Sequence, residues 1–411
     1  MSDSLLKNGD YLRLMTGQSI SSLGTAMSSF VFTLLAMSIT GSPIQAGLVG
    51  TAGALGGTLA SLPAGALVDR LNRRKVLIAC GAAGTILLGS VSVAGWLDRL
   101  TIGHLIVVSF AGGVGYAFFQ PAQTAALRQI VAPEQLGTAM AANEGREHAA
   151  GLLGAPLGGI LYSISRLLPI AVDAISYLVM TVLLATIRQP LPAPKPDGDK
   201  HEPILRAIRA GLSWLVRQPA LRVITLSATL LNFAAGGTLL VLVLNLQQLG
   251  VHASAIGLLN TGLGVGGLLG SFAAPRLLRR FRTGAIAIVA SWAIAIAFSL
   301  TAFSTRTVVL VALLGAAFLL VPAVNAGLFG YLVMITPDGM QGRAQSALMF
   351  LATAVGPLAP ALGGVLLATA GARTALLVFG GALGLVALML TLSRSVRTIP
   401  LLSDVAAEQT V

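Results

Sequence analysis

The chain has 411 residues, of which 55% are hydrophobic and only 10% charged; 26 Lys and Arg face 14 Asp and Glu, giving a net charge of +12. A soluble globular protein carries about 25% charged residues, so this composition excludes that class and leaves an all-α membrane protein. The cations sit between apolar segments and form no aromatic-interleaved patch, which argues against a nucleic-acid partner and for topology signals and contacts to anionic lipid.

Met1 to Asp10 is polar and has no apolar core with a small-residue cleavage site, so the first apolar segment is expected to serve as its own insertion signal. Segments of about 20 mainly apolar residues, the length that crosses a bilayer, recur twelve times. The first is 12–39, in which Gln18, Ser22, Thr25 and Ser29 fall on one helix face. Thr40 to Pro43 turns the chain into 44–67. A short loop follows with Gly65, Asp69, Arg70, Asn72, Arg73, Arg74 and Lys75. Charge this dense marks a membrane–water boundary. Asn72 is a residue that tolerates left-handed backbone better than most.

Spans three and four cover 76–97 and 101–126. Cys80, the single cysteine, lies in the third and permits no intramolecular disulfide and no cysteine-based metal site. Span five, 141–164, opens with Asn143-Glu144-Gly145-Arg146-Glu147-His148. Glu144 lies on one helix face with Glu147 and His148, a candidate proton-handling cluster, with Arg146 directed elsewhere. Gly154, Pro156, Gly158 and Gly159 follow as a small-residue motif for close helix packing. Span six, 167–187, carries Asp173, a second candidate proton site.

The segment 188–221 begins with Pro190, Pro192, Pro194 and Pro196. From about Pro203, Ile204, Ile208, Leu212 and Leu215 recur at helical spacing, an amphipathic helix on the cytoplasmic face. Spans seven to twelve are 222–248, 253–275, 284–303, 306–333, 344–370 and 372–393, ahead of a tail, 394–411. Asn232 in span seven and Asn325 in span ten are further candidates for a cavity lining. Gly262-x-Gly264-x-Gly266-Gly267 has no strand before it, so helix packing explains it rather than dinucleotide binding. No phosphate-binding G-x-x-x-x-G-K-[ST] loop is present, and the four histidines are scattered. No cofactor, no metal and no enzyme active site are expected.

The chain repeats itself at an offset of 210 residues. Gly47, Leu48, Thr51, Gly56, Gly57, Leu59, Ser61, Ala64, Leu67 and Arg70 recur as Gly257, Leu258, Thr261, Gly266, Gly267, Leu269, Ser271, Ala274, Leu277 and Arg280. Two six-helix halves in one orientation follow, 1–187 and 222–393. With both termini cytoplasmic, only Arg99, Arg166, Arg306 and Arg373 fall outside and Arg146 within a span, leaving 21 of the 26 cations inside.

These residues carry a resemblance. The 65–75 loop resembles the G-x-x-x-D-R-x-G-R-R loop of major facilitator transporters, with Asn72 where that family prefers glycine. Gly17-Gln18-Ser19-Ile20-Ser21-Ser22-Leu23-Gly24, Thr40-Gly41-Ser42-Pro43, Phe119-Gln120-Pro121-Ala122 and Asp173-Ala174-Ile175-Ser176-Tyr177 together resemble the bacterial twelve-helix drug exporters, including macrolide- and tetracycline-type pumps. The span-five motif resembles the G-P-x-x-G-G element of antiporters, with Ala155 for its first glycine and one residue fewer before the double glycine.

The resemblance implies a monomeric transporter of the bacterial cytoplasmic membrane, exporting small molecules by proton antiport. In it, span one borders a central cavity. Few polar anchors in such a cavity fit lipophilic or amphipathic substrates. It also implies that Asp69 reaches the start of span eleven near Arg343, as a gate. Many relatives carry an acid after the span-one glycine, where this chain has Thr25, so coupling is expected at Glu147 first and Asp173 second. A lipid or siderophore exporter on the same scaffold is the alternative reading. A non-transporting receptor or an enzyme is a more remote one.

Overall fold

The structure, a computed structural model, describes residues 5–68, 70–191, 212–337 and 341–399. These are helical almost throughout, with no strand among the described residues. α1 is Gly9–Thr40, α2 Pro43–Val68, α3 Arg73–Trp96, α4 Ile102–Ile130, α5 Leu136–Ile164 and α6 Leu168–Ala185. After the linker come α7 Pro219–Gln248, α8 Ala253–Arg280, α9 Thr283–Leu300, α10 Thr307–Phe318, α11 Val321–Ile335, α12 Gln341–Ala354, α13 Leu358–Leu392 and α14 Arg394–Arg397.

Local chemistry sets several of these boundaries. The Asn8 side chain accepts from the backbone N–H groups of Asp10 (3.1 Å) and Tyr11 (3.0 Å) and so starts α1. Gly41, at φ +62°, ends it, and the left-handed conformation lets the chain reverse within two residues. Asn72 corrects the sequence expectation. Its φ of −65° is extended, not left-handed, and its side chain caps α3 by accepting from Lys75 N–H at 3.1 Å. Capping, worth about 1 kcal/mol, is the physical use of asparagine here.

Single residues also interrupt the later spans. The expected span at 306–333 is divided into α10 and α11, because Pro322 cannot supply the N–H that would continue the helix. Span eleven is α12 plus the first part of α13, separated by a turn that ends at Pro357. Gly371, at φ +79°, bends α13 between the expected spans eleven and twelve.

Nine stretches among the described residues are long and apolar enough to cross a membrane. The last, Ala347–Leu392, is 46 residues long and contains the Gly371 bend. Large apolar side chains lie open on the helix surfaces, Val308 at 82%, Ile164 at 72% and Phe272 at 68%. Exposure on this scale is stable only against lipid.

The chain folds as two compact units, Met1–Asp199 with Gln247–Asn260, and Lys200–Leu246 with Thr261–Val411. In the first, α2 packs along α4, and α1 lies against α2, α5 and α6. Here the helices touch backbone to backbone. A Cβ on Gly56 would overlap the Phe110 carbonyl oxygen of α4, and one on Gly113 would overlap that of Gly53. Ser109 Oγ donates to Val49 O at 2.8 Å across the same seam. The second unit repeats the device: Cβ atoms on Gly262, Gly266 and Gly270 of α8 would crowd the carbonyls of Val311, Gly315 and Leu319. Gly56 and Gly266 are equivalent at the 210-residue offset. α8 also begins 210 residues after α2. Small residues therefore allow a backbone-to-backbone approach at equivalent positions in both halves.

Polar ties fasten one end of the first unit. Asn8 Nδ2 donates to Ile130 O (3.0 Å), and the Asp10 carboxylate accepts from Arg188 and Gln189 N–H. Of the expected amphipathic helix, residues 203–211 lie outside the described residues. Residues 212–217 are helical, with Leu215 only 1% exposed.

Candidate functional site

A cavity of about 320 Å³ opens within the first unit, walled by α1, α3, α4, α5 and α6. Its wall is mostly apolar: Ala26, Ala83, Leu87, Ala111, Phe119 and Met180. Polar groups enter from four helices, Gln18, Ser22 and Thr25 from α1, Tyr116 and Gln123 from α4, Arg146 and Glu147 from α5, and Tyr177 from α6. Gly112 and Gly115 leave room along α4, since a Cβ there would meet nothing within 4 Å.

Arg146 organises this wall. One terminal nitrogen donates to Gln18 O (2.9 Å) and Ser22 Oγ (2.7 Å), the other to Asn143 Oδ1 (3.0 Å) and Glu147 Oε1 (3.2 Å). Gln123 Nε2 completes the network by donating to Asn143 Oδ1 at 2.7 Å. One guanidinium thus links α1 to α5, and through Asn143 to α4, using the fork of donors that only arginine offers. The Arg146 side chain is 9% exposed and that of Glu147 41%, so the carboxylate is the partner accessible from the cavity.

Gln18 is the second feature. It is 1% exposed, lines the cavity, and neither Oε1 nor Nε2 finds a hydrogen-bond partner among the described residues. An unpaired buried amide costs about 1–3 kcal/mol. It offers one acceptor and one donor group to a ligand that reaches it.

Asp173 occupies a different place. It is 1% exposed in α6 and faces α1, where Ser28 Oγ donates to Oδ2, and Ser176 Oγ lies 3.0 Å from Oδ1. Gly24 makes the room, since a Cβ there would stand 2.5 Å from Asp173 Oδ1. Asp173 is not among the cavity-lining residues, but its neighbours Thr25 and Tyr177 are, joined by a 3.1 Å hydrogen bond between their hydroxyls.

The other expected residues divide as follows. Of the α1 stripe, Ser29 is exposed, bonded to Thr25 O (2.6 Å), and does not line the cavity. Glu144 and His148 are exposed and outside the cavity lining, so helical spacing grouped Glu147 with residues it does not meet there. Asn232, in the second unit, donates to Ala352 O at 3.1 Å, and Asn325 is exposed on α11. In the basic loop Gly65 is half-buried, Arg70 exposed and Arg73 4% exposed, while Arg74 donates to Ala185 O. Asp69 and the Arg343 side chain lie outside the described residues.

The span-five motif is a packing surface. A Cβ on Gly154 would overlap Ala26 of α1, and one on Gly158 would stand 2.8 Å from Met27 O. One on Gly159 would overlap Ala253 O, and Gly257 in turn abuts Ala155 and Pro156. Arg146 is the residue that sequence reasoning missed. The signal was present: it is the one cation more than two residues inside an expected span.

A family model described as Major Facilitator Superfamily matches residues 14–357. The "Multidrug efflux pump Tap" of Mycolicibacterium fortuitum is 26% identical over 380 residues, covering 89% of this chain and 91% of that protein. "Macrolide efflux protein A" of Streptococcus pyogenes is 23% identical over 232 residues, 54% of this chain and 55% of that protein. Among solved structures, a bacterial homologue of the human lysosomal transporter Spinster superposes with a TM-score of 0.75 at 17% identity, covering 97% of this chain and 98% of that one.

Proposed function

The chain belongs to the Major Facilitator Superfamily, and from that membership we propose that it exports small lipophilic or amphipathic compounds by proton antiport with alternating access. The relatives at low identity are efflux pumps for drugs and macrolides. The observation that carries the reading is the cavity in the first unit, apolar over most of its wall, with an Arg146–Glu147 ion pair and an unpartnered Gln18 amide on it. Such a wall suits a substrate that buries hydrocarbon and fixes its orientation through one or two polar groups.

In this scheme Glu147 exchanges the coupled proton. As a carboxylate it pairs with Arg146. Protonation removes its charge, and Arg146 keeps only its neutral partners, Gln18 O, Ser22 and Asn143. A proton can drive transport only by favouring one conformation over the other. The α1–α5 link is the bond whose strength this proton changes. Asp173, packed between α6 and α1 behind Thr25 and Tyr177, is the second proposed site. The described residues of the second unit hold no Asp or Glu, so carboxylate coupling among described residues rests on the first.

The testing experiment is a panel of lipophilic drugs in bacterial cells stripped of their native pumps. Expression is expected to lower accumulation of at least one compound, and more strongly with an inward proton gradient. No change across the panel would refute export of this class. Gln18→Leu is expected to raise the melting temperature, by about 1–2 kcal/mol of stability, because it removes an unpaired amide. It should weaken substrate binding about tenfold, the value of one lost hydrogen bond. Thermal unfolding and ligand titration of one preparation check both signs.

The scheme takes twelve crossings of the bacterial cytoplasmic membrane by a monomer, with both termini inside. Cysteines placed at 188–221 in a Cys80→Ala background are expected to escape an impermeant thiol reagent in intact cells and to react after permeabilisation. Labelling of intact cells would invert the orientation.

A further inference from the structure

α8 carries, along one face, an apolar stripe that runs into a basic end. Val265, Leu268, Leu269 and Phe272 are 42%, 54%, 56% and 68% exposed. Arg276, Arg279 and Arg280 continue the same i, i+3, i+4 progression and are exposed as well. Val265 to Arg276 spans about 16 Å at ~1.5 Å per residue. That is close to the depth of one leaflet, half of a hydrocarbon core about 30 Å thick.

Among the described residues these arginines make only local contacts. Arg276 donates to Phe272 O at 3.4 Å, Arg279 Nε to Pro275 O at 3.2 Å, and Arg280 lies over the Phe281 ring at 5.9 Å. All three contacts are local to α8 and its end, and none is with a carboxylate. The described part of the second unit has no carboxylate to offer. Arg282 follows two residues later, and α14 packs beside it. A Cβ on Gly284 would overlap Val396 O, which places the exposed Arg394 and Arg397 at the same end. At the 210-residue offset Arg279 stands where the first half has Asp69. The second-half loop has therefore exchanged its acid for another cation.

The geometry points to a binding site for an anionic phospholipid on this face of α8, with an acyl chain along Val265–Phe272 and the phosphate on Arg276, Arg279 and Arg280. A guanidinium binds phosphate through paired N–H donors. A zwitterionic headgroup brings its own ammonium against this cluster of guanidinium groups, so a net negative lipid is preferred. The chemistry is that of a membrane component rather than a cargo.

The experiment uses the full chain, purified and placed in nanodiscs of phosphatidylcholine with or without phosphatidylglycerol. Lipid retained after detergent re-extraction is measured by mass spectrometry, and the melting temperature is followed in parallel. Wild type is expected to retain phosphatidylglycerol selectively and to melt higher with it. R276Q/R279Q/R280Q should reduce retention at least about tenfold. R276K/R279K/R280K, which keeps the charge, should restore part of it, and R306Q, at the N-cap of α10, should behave as wild type. Undiminished retention by the glutamine triple variant would overturn the site. Equal retention of phosphatidylcholine would overturn the preference for negative charge. An equal rise in melting temperature with glycerol phosphate alone would overturn the role of the acyl chain.

Discussion

Glu147→Gln is expected to abolish gradient-driven efflux in proteoliposomes while leaving substrate exchange across the membrane intact. Glutamine keeps the shape and can still accept from Arg146, but it holds no exchangeable proton at its oxygen. The α1–α5 link of Arg146 to Gln18 O and Ser22 survives, so the protein should purify and melt within a few degrees of wild type. The gradient-driven component should fall at least about tenfold, the effect of removing roughly 1.4 kcal/mol of proton-linked bias. Arg146→Met is the harsher companion. It strips partners from Ser22, Asn143 and Glu147 at once, with charge-assisted bonds worth about 1.5–3 kcal/mol each, and both exchange and stability should drop. Asp173→Asn separates the two proposed proton sites. If Glu147→Gln pumps at the wild-type rate and Asp173→Asn does not, the proton resides on α6. Full gradient-driven efflux by both variants would remove carboxylate antiport from the scheme.

Gly56→Ala and Gly266→Ala are expected to destabilise by similar amounts, about 1–3 kcal/mol each, through overpacking of a backbone contact. The added Cβ would overlap Phe110 O in the first unit and Gly315 O in the second. A main-chain carbonyl in a helix cannot rotate aside, so the helices must separate along the whole seam. Gly89→Ala and Gly267→Ala are the controls, because a Cβ at either position meets nothing within 4 Å. There the better helix propensity of alanine, up to about 1 kcal/mol, should leave stability unchanged or raised. Thermal unfolding of the four variants in one detergent decides the point. Equal melting of Gly56→Ala and Gly89→Ala would mean that glycine does not set the α2–α4 distance.

Sequence by itself determined the membrane class, the helical architecture and the internal repeat. Bilayer crossing needs long apolar segments, and that signal is local and one-dimensional. The same logic left Gly371 between spans eleven and twelve, and read Thr40 to Pro43 as a tight reversal and the α8 glycines as packing residues rather than a nucleotide loop. It also singled out Gln18, Ser22 and Thr25, since a shared helix face is fixed by periodicity alone.

Periodicity cannot say which neighbouring helix a face meets. It grouped Glu147 with Glu144 and His148 and turned Arg146 away, because it sees only the helix on which they lie. Tertiary packing brought α1 and α4 against α5, and Arg146 found acceptors 128 residues back at Gln18 and a route to Gln123 through Asn143. Asp173 is similar. Ser176 is its neighbour on the same helix, but only the approach of α1, permitted by Gly24, adds Ser28. Asn72 was misread for the converse reason. Its tolerance of left-handed backbone is an intrinsic preference, whereas its place one residue before α3 made it a cap. Intrinsic preferences and apolar periodicity act within a few residues and can be read from the chain. The partners of a buried charge are set by which helices touch, and that is decided by the glycine seams only once the units have folded.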